Sequence, residues 1–157
     1  MRDVTIPVSE GTGSRRAALA ILARASRGEL AAAWDGLVEK PAFETLRRPE
    51  IGLVMARARI GGGGAPFNIG EVTVTRAAVR MASGEVGFGH VLGRDVERAL
   101  LVARFDALWQ SERHRRFVET GLLRPVAART NDADAVTRRK TEATRVNFFT
   151  MVRGEDQ

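Results

Sequence analysis

The feature of the sequence that most constrains its fold is a change of hydrophobic period near residue 52. Between residues 52 and 92, apolar and polar side chains alternate one by one in three segments, whereas the flanking segments repeat every three or four residues. A period of two is typical of a strand and a period near 3.6 of a helix. The sequence therefore predicts strands at 52–60, 67–81 and 85–92, with helices on both sides.

The connections between these three predicted strands are short, which favours an antiparallel meander. The first connection holds four consecutive glycines, at positions 61–64, and the second holds Ser83-Gly84. A glycine run can also bring backbone N–H groups close to a phosphate. This run lacks the G-x-x-x-x-G-K-[ST] pattern and does not open a helix, so a hairpin connection is the favoured interpretation.

Helical spacing, caps and breakers define the remaining segments. Ser14 is a suitable N-cap and Gly28 a natural stop, while Pro41 and Pro49 indicate a linker at 40–50 and Gly121, Pro125 and Asn131 a loop. Helices are predicted at 14–27, 29–38, 94–112 and 132–144, and a last strand at 146–152. The order predicts a single α+β domain over 1–157, with N-terminal helices in 1–40, a sheet-containing core in 51–154, and a long helix packed on the sheet.

Composition excludes several classes of function. The 157-residue chain has no cysteine, which removes disulfides, thiolate metal sites, iron–sulfur clusters and cysteine nucleophiles. No apolar run approaches the roughly 20 residues that span a bilayer and no secretion signal is evident, so we expect a cytoplasmic protein without membrane contact. The net charge is +6, and of the 25 basic residues only Lys40 and Lys140 are lysine. Such a surface suits phosphorylated ligands, nucleic acid or an acidic partner.

Four arginines on the predicted strands are candidates for anion or interface contact. Arg76 and Arg80 are four residues apart and share a strand face, and Arg57 and Arg59 come from the preceding strand. Together they could hold a phosphonate or a triphosphate. They could equally form ion pairs with Glu71, Glu85 or a partner's carboxylates, and the sequence leaves both interpretations open.

Gly93-Arg94-Asp95 opens the long predicted helix, where backbone N–H groups and Arg94 would suit an anion and Asp95 is a first-turn acid. His90, on an otherwise apolar strand face, is more often a packed residue than a catalytic base. With His114 as the second of two scattered histidines, we expect neither a metal site nor a Ser/His/Asp arrangement.

Several of these segments, in this order and spacing, resemble the PhnG family of carbon–phosphorus lyase subunits. They are Gly52-Leu53-Val54, Ala58-Arg59-Ile60 with the glycines that follow, Thr73-Val74-Thr75-Arg76-Ala77-Ala78-Val79-Arg80, Val91-Leu92-Gly93-Arg94-Asp95, and the ending that runs from Arg145-Val146-Asn147-Phe148-Phe149 through Met151 to Gly154. The resemblance implies a subunit of a two-fold-symmetric assembly with PhnH, PhnI and PhnJ, which acts with PhnL and also involves PhnK.

In that family the assembly uses an alkylphosphonate to displace adenine from its substrate ATP, giving α-D-ribose 1-alkylphosphonate 5-triphosphate. The resemblance links the nucleosidase chemistry to PhnI and assigns no catalytic residue or bound cofactor to this chain. An apolar last strand with Phe148, Phe149 and Met151 suits coverage by a partner subunit.

An accessory role is therefore expected, at the PhnI active site or at an interface of the complex. Two alternatives remain. One is a small stand-alone enzyme that uses His90 with Arg76 and Arg94. The other is a nucleic-acid-binding module built on Arg113–Arg116 and on Arg138-Arg139-Lys140, but these clusters lack tyrosine and are diluted by glutamates, so no nucleic acid is expected.

Overall fold

The computed structural model describes residues 15–60 and 63–144, and it confirms the α+β class. Within these ranges, no helix is both long and apolar enough to cross a membrane. The elements in chain order are α1 (Arg15–Leu22), α2 (Arg27–Asp35), β1 (Phe43–Arg59), β2 (Pro66–Met81), β3 (Val86–Leu92), α3 (Val96–Gln110), α4 (Glu112–Val118), a π-helical turn (Glu119–Leu123) and α5 (Arg124–Ala143). The strand predicted at 146–152 lies outside the described residues.

The three strands form one antiparallel sheet in the order β1-β2-β3, which confirms the predicted meander. α3 covers one face of this sheet, and α1, α2 and the helical segments after α3 pack around it. This confirms the prediction of a long helix packed on the sheet, and Phe105 and Leu108 of that helix are fully buried. The sheet face opposite α3 is called the outer face below.

The predicted linker at 40–50 is wrong from Phe43 onward, because β1 begins there rather than at residue 52. Pro49 lies within this strand. β1 is an edge strand, where a residue without an N–H donor costs no ladder hydrogen bond if that position faces outward. The pairing with β2 shifts register between Thr45 and Arg47 and again between Arg47 and Glu50. The irregular pairing accommodates a sequence that lacks strict alternation in this region.

The contact between α3 and β3 depends on two glycines. A Cβ atom at Gly89 would lie 2.0 Å from the carbonyl oxygen of Ala99, and one at Gly87 would lie 1.9 Å from that of Ala103. Both positions alternate on the strand with side chains of the outer face. Glycine on β3 and alanine on α3 therefore allow the helix backbone to lie against the strand backbone, closer than any side chain would permit.

Asp106 on α3 adds hydrogen bonds at the contact between α3 and β3. Its side chain is fully buried, and its carboxylate accepts hydrogen bonds from Arg15 Nε at 3.0 Å, from Arg15 Nη2 at 2.7 Å and from the backbone N–H of Phe88 at 2.8 Å. The hydrogen bond to Asp106 raises the pKa of Arg15 above its ordinary value. Both carboxylate oxygens accept hydrogen bonds, from α1 and β3, so Asp106 joins three elements.

The loop predicted around Gly121, Pro125 and Asn131 is wrong, because the chain is helical from Glu112 to Ala143. Pro125 cannot donate to the carbonyl of residue 121. The preceding turn widens to a π-helix, in which the N–H of Arg124 bonds to the carbonyl of Glu119. Asp132, predicted in a first helical turn, is therefore in the middle of α5.

Ion pairs join α5 to the N-terminal helices. Arg129 donates to Glu29 Oε1 at 2.7 Å and Oε2 at 3.0 Å, and Arg24 binds Asp134. The hydrogen bonds from Arg129 lower the pKa of Glu29 to about 2. Glu29 also completes a capping box with Ser26 at the start of α2.

Candidate interaction surface

The long hairpin of β1 and β2 extends beyond the part of the sheet that α3 covers. β3 pairs with β2 from Val74 to Arg80, so among residues 15–60 and 63–144 the segments 53–59 and 66–73 pair only with each other. We call these two segments the ribbon. Six residue steps in an extended strand make it about 20 Å long. A two-stranded ribbon without a third strand is marginally stable in water, which makes its surface chemistry informative.

Large apolar side chains are exposed on both sides of the ribbon. Leu53 and Ile69 are 61% and 60% exposed, and Val54 pairs with Val72 on the opposite side from Leu53. The complete set of exposed large apolar residues on the ribbon and next to it is Ile51, Leu53, Val54, Met55, Ile60, Phe67, Ile69 and Val72. An exposed apolar surface of this density marks an interaction site.

A bulge shapes the ribbon near its end. Ala56 pairs with Gly70 and Arg57 with Asn68, which leaves Ile69 as an additional residue on β2. Gly70 has a backbone φ of 147°, which residues other than glycine rarely adopt. The bulge therefore changes the direction of the last part of the ribbon. It does so at Gly70, where only glycine fits without strain.

Arg57 and Arg59 lie at the end of the ribbon, where they line a shallow depression with Ala58 and Pro66. Arg59 donates to the carbonyl of Gly64 at 3.0 Å. Neither guanidinium has a carboxylate partner among residues 15–60 and 63–144. The apolar ribbon thus ends in two positive charges that the described part of the chain does not neutralise.

Arg76 and Arg80 share the outer face, as predicted, but each pairs with a glutamate of β1. Arg76 donates to Glu50 at 2.7 Å and Arg80 to Glu44 at 3.3 Å. Glu50 lies seven residues from Arg57, about 23 Å along an extended strand, and faces the other side of the sheet. The structure therefore does not bring the four arginines together. Ion pairs hold Arg76 and Arg80, with acids other than the predicted Glu71 and Glu85.

His90 is exposed on the outer face, directly across from Arg76 in the pairing of β2 with β3. Phe88 and Leu92, on the same side of β3, are 42% and 69% exposed. The prediction that His90 is a packed residue is therefore wrong. With the ribbon, these side chains extend the apolar surface across the sheet.

The predicted anion site at the start of α3 is filled by the chain itself. Asp95 is the N-cap rather than a first-turn acid, and its carboxylate accepts from the N–H of Arg98 at 3.0 Å. It also pairs with Arg27, while its own N–H donates to the buried Thr75 hydroxyl. Arg94 is exposed next to this cap. A carboxylate already stabilises the positive end of the helix dipole.

The basic cluster on α4 is largely engaged in local contacts. Arg113 pairs with Glu39, and Arg115 donates to the carbonyl of Trp109 at 2.9 Å while its guanidinium lies 4.8 Å from that ring. The ring of His114 is 3.3 Å from the Ser111 hydroxyl, on a different element from His90. Within 15–60 and 63–144, His, Asp and Glu side chains form no group of three that could hold a metal ion.

The interface predicted at Phe148, Phe149 and Met151 lies outside the described residues. The ribbon surface is the feature that the sequence interpretation did not identify as a site. Its signal was present, because Leu53 and Met55 are apolar on the strand side that also carries Arg57 and Arg59. Apolar residues on both faces of a strand, without a helix to cover one of them, indicate an additional covering surface.

Comparison with known proteins gives two findings. The model of the family described as "Phosphonate metabolism protein PhnG" matches residues 13–154. The chain is also 56% identical, over 146 residues, to the alpha-D-ribose 1-methylphosphonate 5-triphosphate synthase subunit PhnG of Rhizobium meliloti (strain 1021), with 93% of each chain covered.

Proposed function

The chain belongs to the PhnG family of phosphonate metabolism proteins, and from this membership we propose that it is a non-catalytic subunit of a ribose 1-methylphosphonate 5-triphosphate synthase. The observation that carries the proposal is the ribbon, an apolar projection that the described part of the chain leaves uncovered. A subunit that inserts such a projection into a partner buries it only in the complex.

The occupant we propose for the ribbon surface is PhnI, in a cytoplasmic assembly that also contains PhnH and PhnJ and acts with PhnL. The contact on PhnI is an apolar groove with carboxylates at one end. The apolar side chains of the ribbon require the groove, and Arg57 and Arg59 require the carboxylates. The edges of β1 and of β2 before Val74 have no strand partner in the described part of the chain, so they also offer backbone groups for strand addition.

In this proposal the complex uses an alkylphosphonate to displace adenine from ATP, and the product is α-D-ribose 1-alkylphosphonate 5-triphosphate. PhnI carries the nucleosidase chemistry, and this chain binds no cofactor of its own. Three structural observations favour a non-catalytic role for this chain. The two histidines lie on separate elements, Arg76 and Arg80 are held by glutamates, and the start of α3 is capped by Asp95.

The test is co-purification of ribbon variants with the other subunits. In the variant L53E/I69E, two exposed apolar side chains of the ribbon become charged, which places unpaired carboxylates in the proposed groove. We expect at least a tenfold loss of affinity, about 1.4 kcal/mol. The measurement is the amount of this chain that co-elutes with tagged PhnI at equal expression.

The matched control is Val136→Glu on α5, a side chain that is 42% exposed and lies outside the ribbon. It adds one carboxylate, half the charge that L53E/I69E adds, at another exposed apolar position and should leave co-elution unchanged. If L53E/I69E co-elutes with tagged PhnI in the same amount as the wild-type chain, the ribbon is not the contact surface. Equal losses in the variant and its control would show that the effect is not specific to the ribbon.

A further inference from the structure

Arg104 on α3 has an environment unlike that of the paired arginines. Its guanidinium carbon lies 4.8 Å from the Trp34 ring centroid and 5.8 Å from the Phe43 ring centroid. Its Nε is buried and has no hydrogen-bond partner among the residues that the structure describes. Within 15–60 and 63–144, no carboxylate or carbonyl accepts from this guanidinium, whereas Arg15, Arg24 and Arg129 each hold an acid in two hydrogen bonds.

Two aromatic rings lie next to this guanidinium. Trp34 and Phe43 lie 6.0 Å apart in a tilted arrangement, and Trp34 also packs edge-on against Phe105. The ring faces attract the cation but supply no acceptor for its N–H groups. Burial therefore lowers the pKa of Arg104, with no opposing contribution from an acid. The guanidinium is partly dehydrated and lacks an acceptor among the described residues, so an anion that reached it would form charge-assisted hydrogen bonds.

A second cation lies at the same ring. Lys40 Nζ is 6.0 Å from the Trp34 centroid, and its contact with Asp35 is a loose 3.7 Å between exposed groups. Trp34, Phe43 and Arg104 are each partly exposed, and Lys40 is exposed, so this cluster opens at the surface where α2 ends and β1 begins. It is separate from the ribbon, which lies at the far end of β1.

We infer that Arg104, with Lys40 and the rings of Trp34 and Phe43, forms a binding site for an oxyanion. A phosphate or a carboxylate presents two oxygens at the spacing of the guanidinium fork. The inference does not rest on the proposed function, because the site could receive a phosphate group of a small molecule or a carboxylate of a partner subunit. These two sources share one chemistry and are distinguished by experiment.

The first measurement uses the purified full-length chain. Inorganic phosphate and pyrophosphate are titrated at constant ionic strength while tryptophan emission is recorded, because Trp34 lies next to the site. The variant is Arg104→Met, which keeps an unbranched apolar stem. The control is Arg139→Met, which removes an equal charge from an exposed position on α5. We expect a saturable change that is weakened at least tenfold in R104M and kept in R139M.

The second measurement is co-purification of R104M and R139M with the partner subunits. Suppose that R104M co-purifies less than the wild-type chain, that R139M does not, and that the wild-type chain shows no response to phosphate. The oxyanion is then a carboxylate of a partner subunit. R104M should unfold near the wild-type temperature, since it loses the contacts with the two rings but also removes a buried donor that has no acceptor among the described residues. The inference is wrong if R104M matches R139M in both binding measurements, or if R104M unfolds at a much lower temperature with its phosphate response intact.

Discussion

The close approach of α3 to β3 yields the sharpest stability prediction. A Cβ atom added at Gly89 would lie 2.0 Å from the Ala99 carbonyl oxygen and 3.0 Å from the Ala103 nitrogen. Ordinary contact begins near 3.4 Å, so α3 would have to move by roughly 1.4 Å. Overpacking typically costs 1–3 kcal/mol, and here the opposing atoms are backbone, so we expect Gly89→Ala to cost about 3 kcal/mol.

The assay is thermal unfolding of the purified chain followed by far-UV circular dichroism. For a domain of this size, about 3 kcal/mol corresponds to a decrease in Tm of roughly 6–12 °C. The control is Gly28→Ala in α2, where an added Cβ would meet no atom of residues 15–60 and 63–144 within 4 Å. Alanine is also the better helix former, by up to about 1 kcal/mol, so Tm should stay constant or rise. A Gly89→Ala variant whose Tm stays within about 1 °C of wild type would refute the close contact of α3 with β3.

Three further predictions concern named polar contacts. Asp106→Asn removes the charge that binds Arg15 but keeps the side-chain shape; because Arg15 is 37% exposed and can rehydrate, we expect a loss of about 2 kcal/mol in urea denaturation. Glu29 has a pKa lowered from 4.5 to about 2, so its stabilisation of about 1–2 kcal/mol is present above pH 4.5 and lost as the pH falls toward 2. Glu29→Gln or Arg129→Gln should reduce that loss between pH 5 and pH 2, and an unchanged pH profile would contradict the pairing. Asp95→Ala should cost about 1 kcal/mol through loss of the α3 N-cap, measured by the same denaturation, and a change below about 0.3 kcal/mol would contradict it.

The strands were predictable from alternation, but the start of β1 was not. Alternation at 52–60 and 67–81 depends on local sequence, and the structure confirms strands there. The stretch from Phe43 to Glu50 contains Pro49 and two register shifts, so its pairing depends on β2 rather than on its own pattern. A linker in this stretch would place neither Glu44 nor Glu50 on a strand, so their pairing with Arg80 and Arg76 does not follow from the sequence pattern.

The helical region after Glu112 shows a similar limit. Gly121 and Pro125 are strong breakers in isolation, yet a π-helical turn absorbs the missing N–H donor. Buried residues supplied a countersignal, because Val118, Leu122 and Val126 recur every four residues across the supposed loop. Packing of that stripe stabilises the helix against the local preference of glycine and proline.

The candidate sites differ in how far sequence could predict them. The Gly87 and Gly89 pair opposite Ala99 and Ala103 is a readable pattern of small residues, although the partner element becomes known only with the fold. The environment of Arg104 cannot be predicted from the sequence, because Trp34 and Phe43 lie far from Arg104 along the chain. The ribbon required knowledge of where β3 ends.

The most direct test of the central proposal measures the release of adenine from ATP in the presence of methylphosphonate. The proteins in the assay are PhnI, PhnH, PhnJ and PhnL. The rate is recorded without this chain, with the wild-type chain, and with the ribbon variant L53E/I69E. Our account predicts the full rate only with the wild-type chain and no release by the chain alone. A full rate in its absence, or release by the purified chain without partners, would contradict the role of a non-catalytic docking subunit.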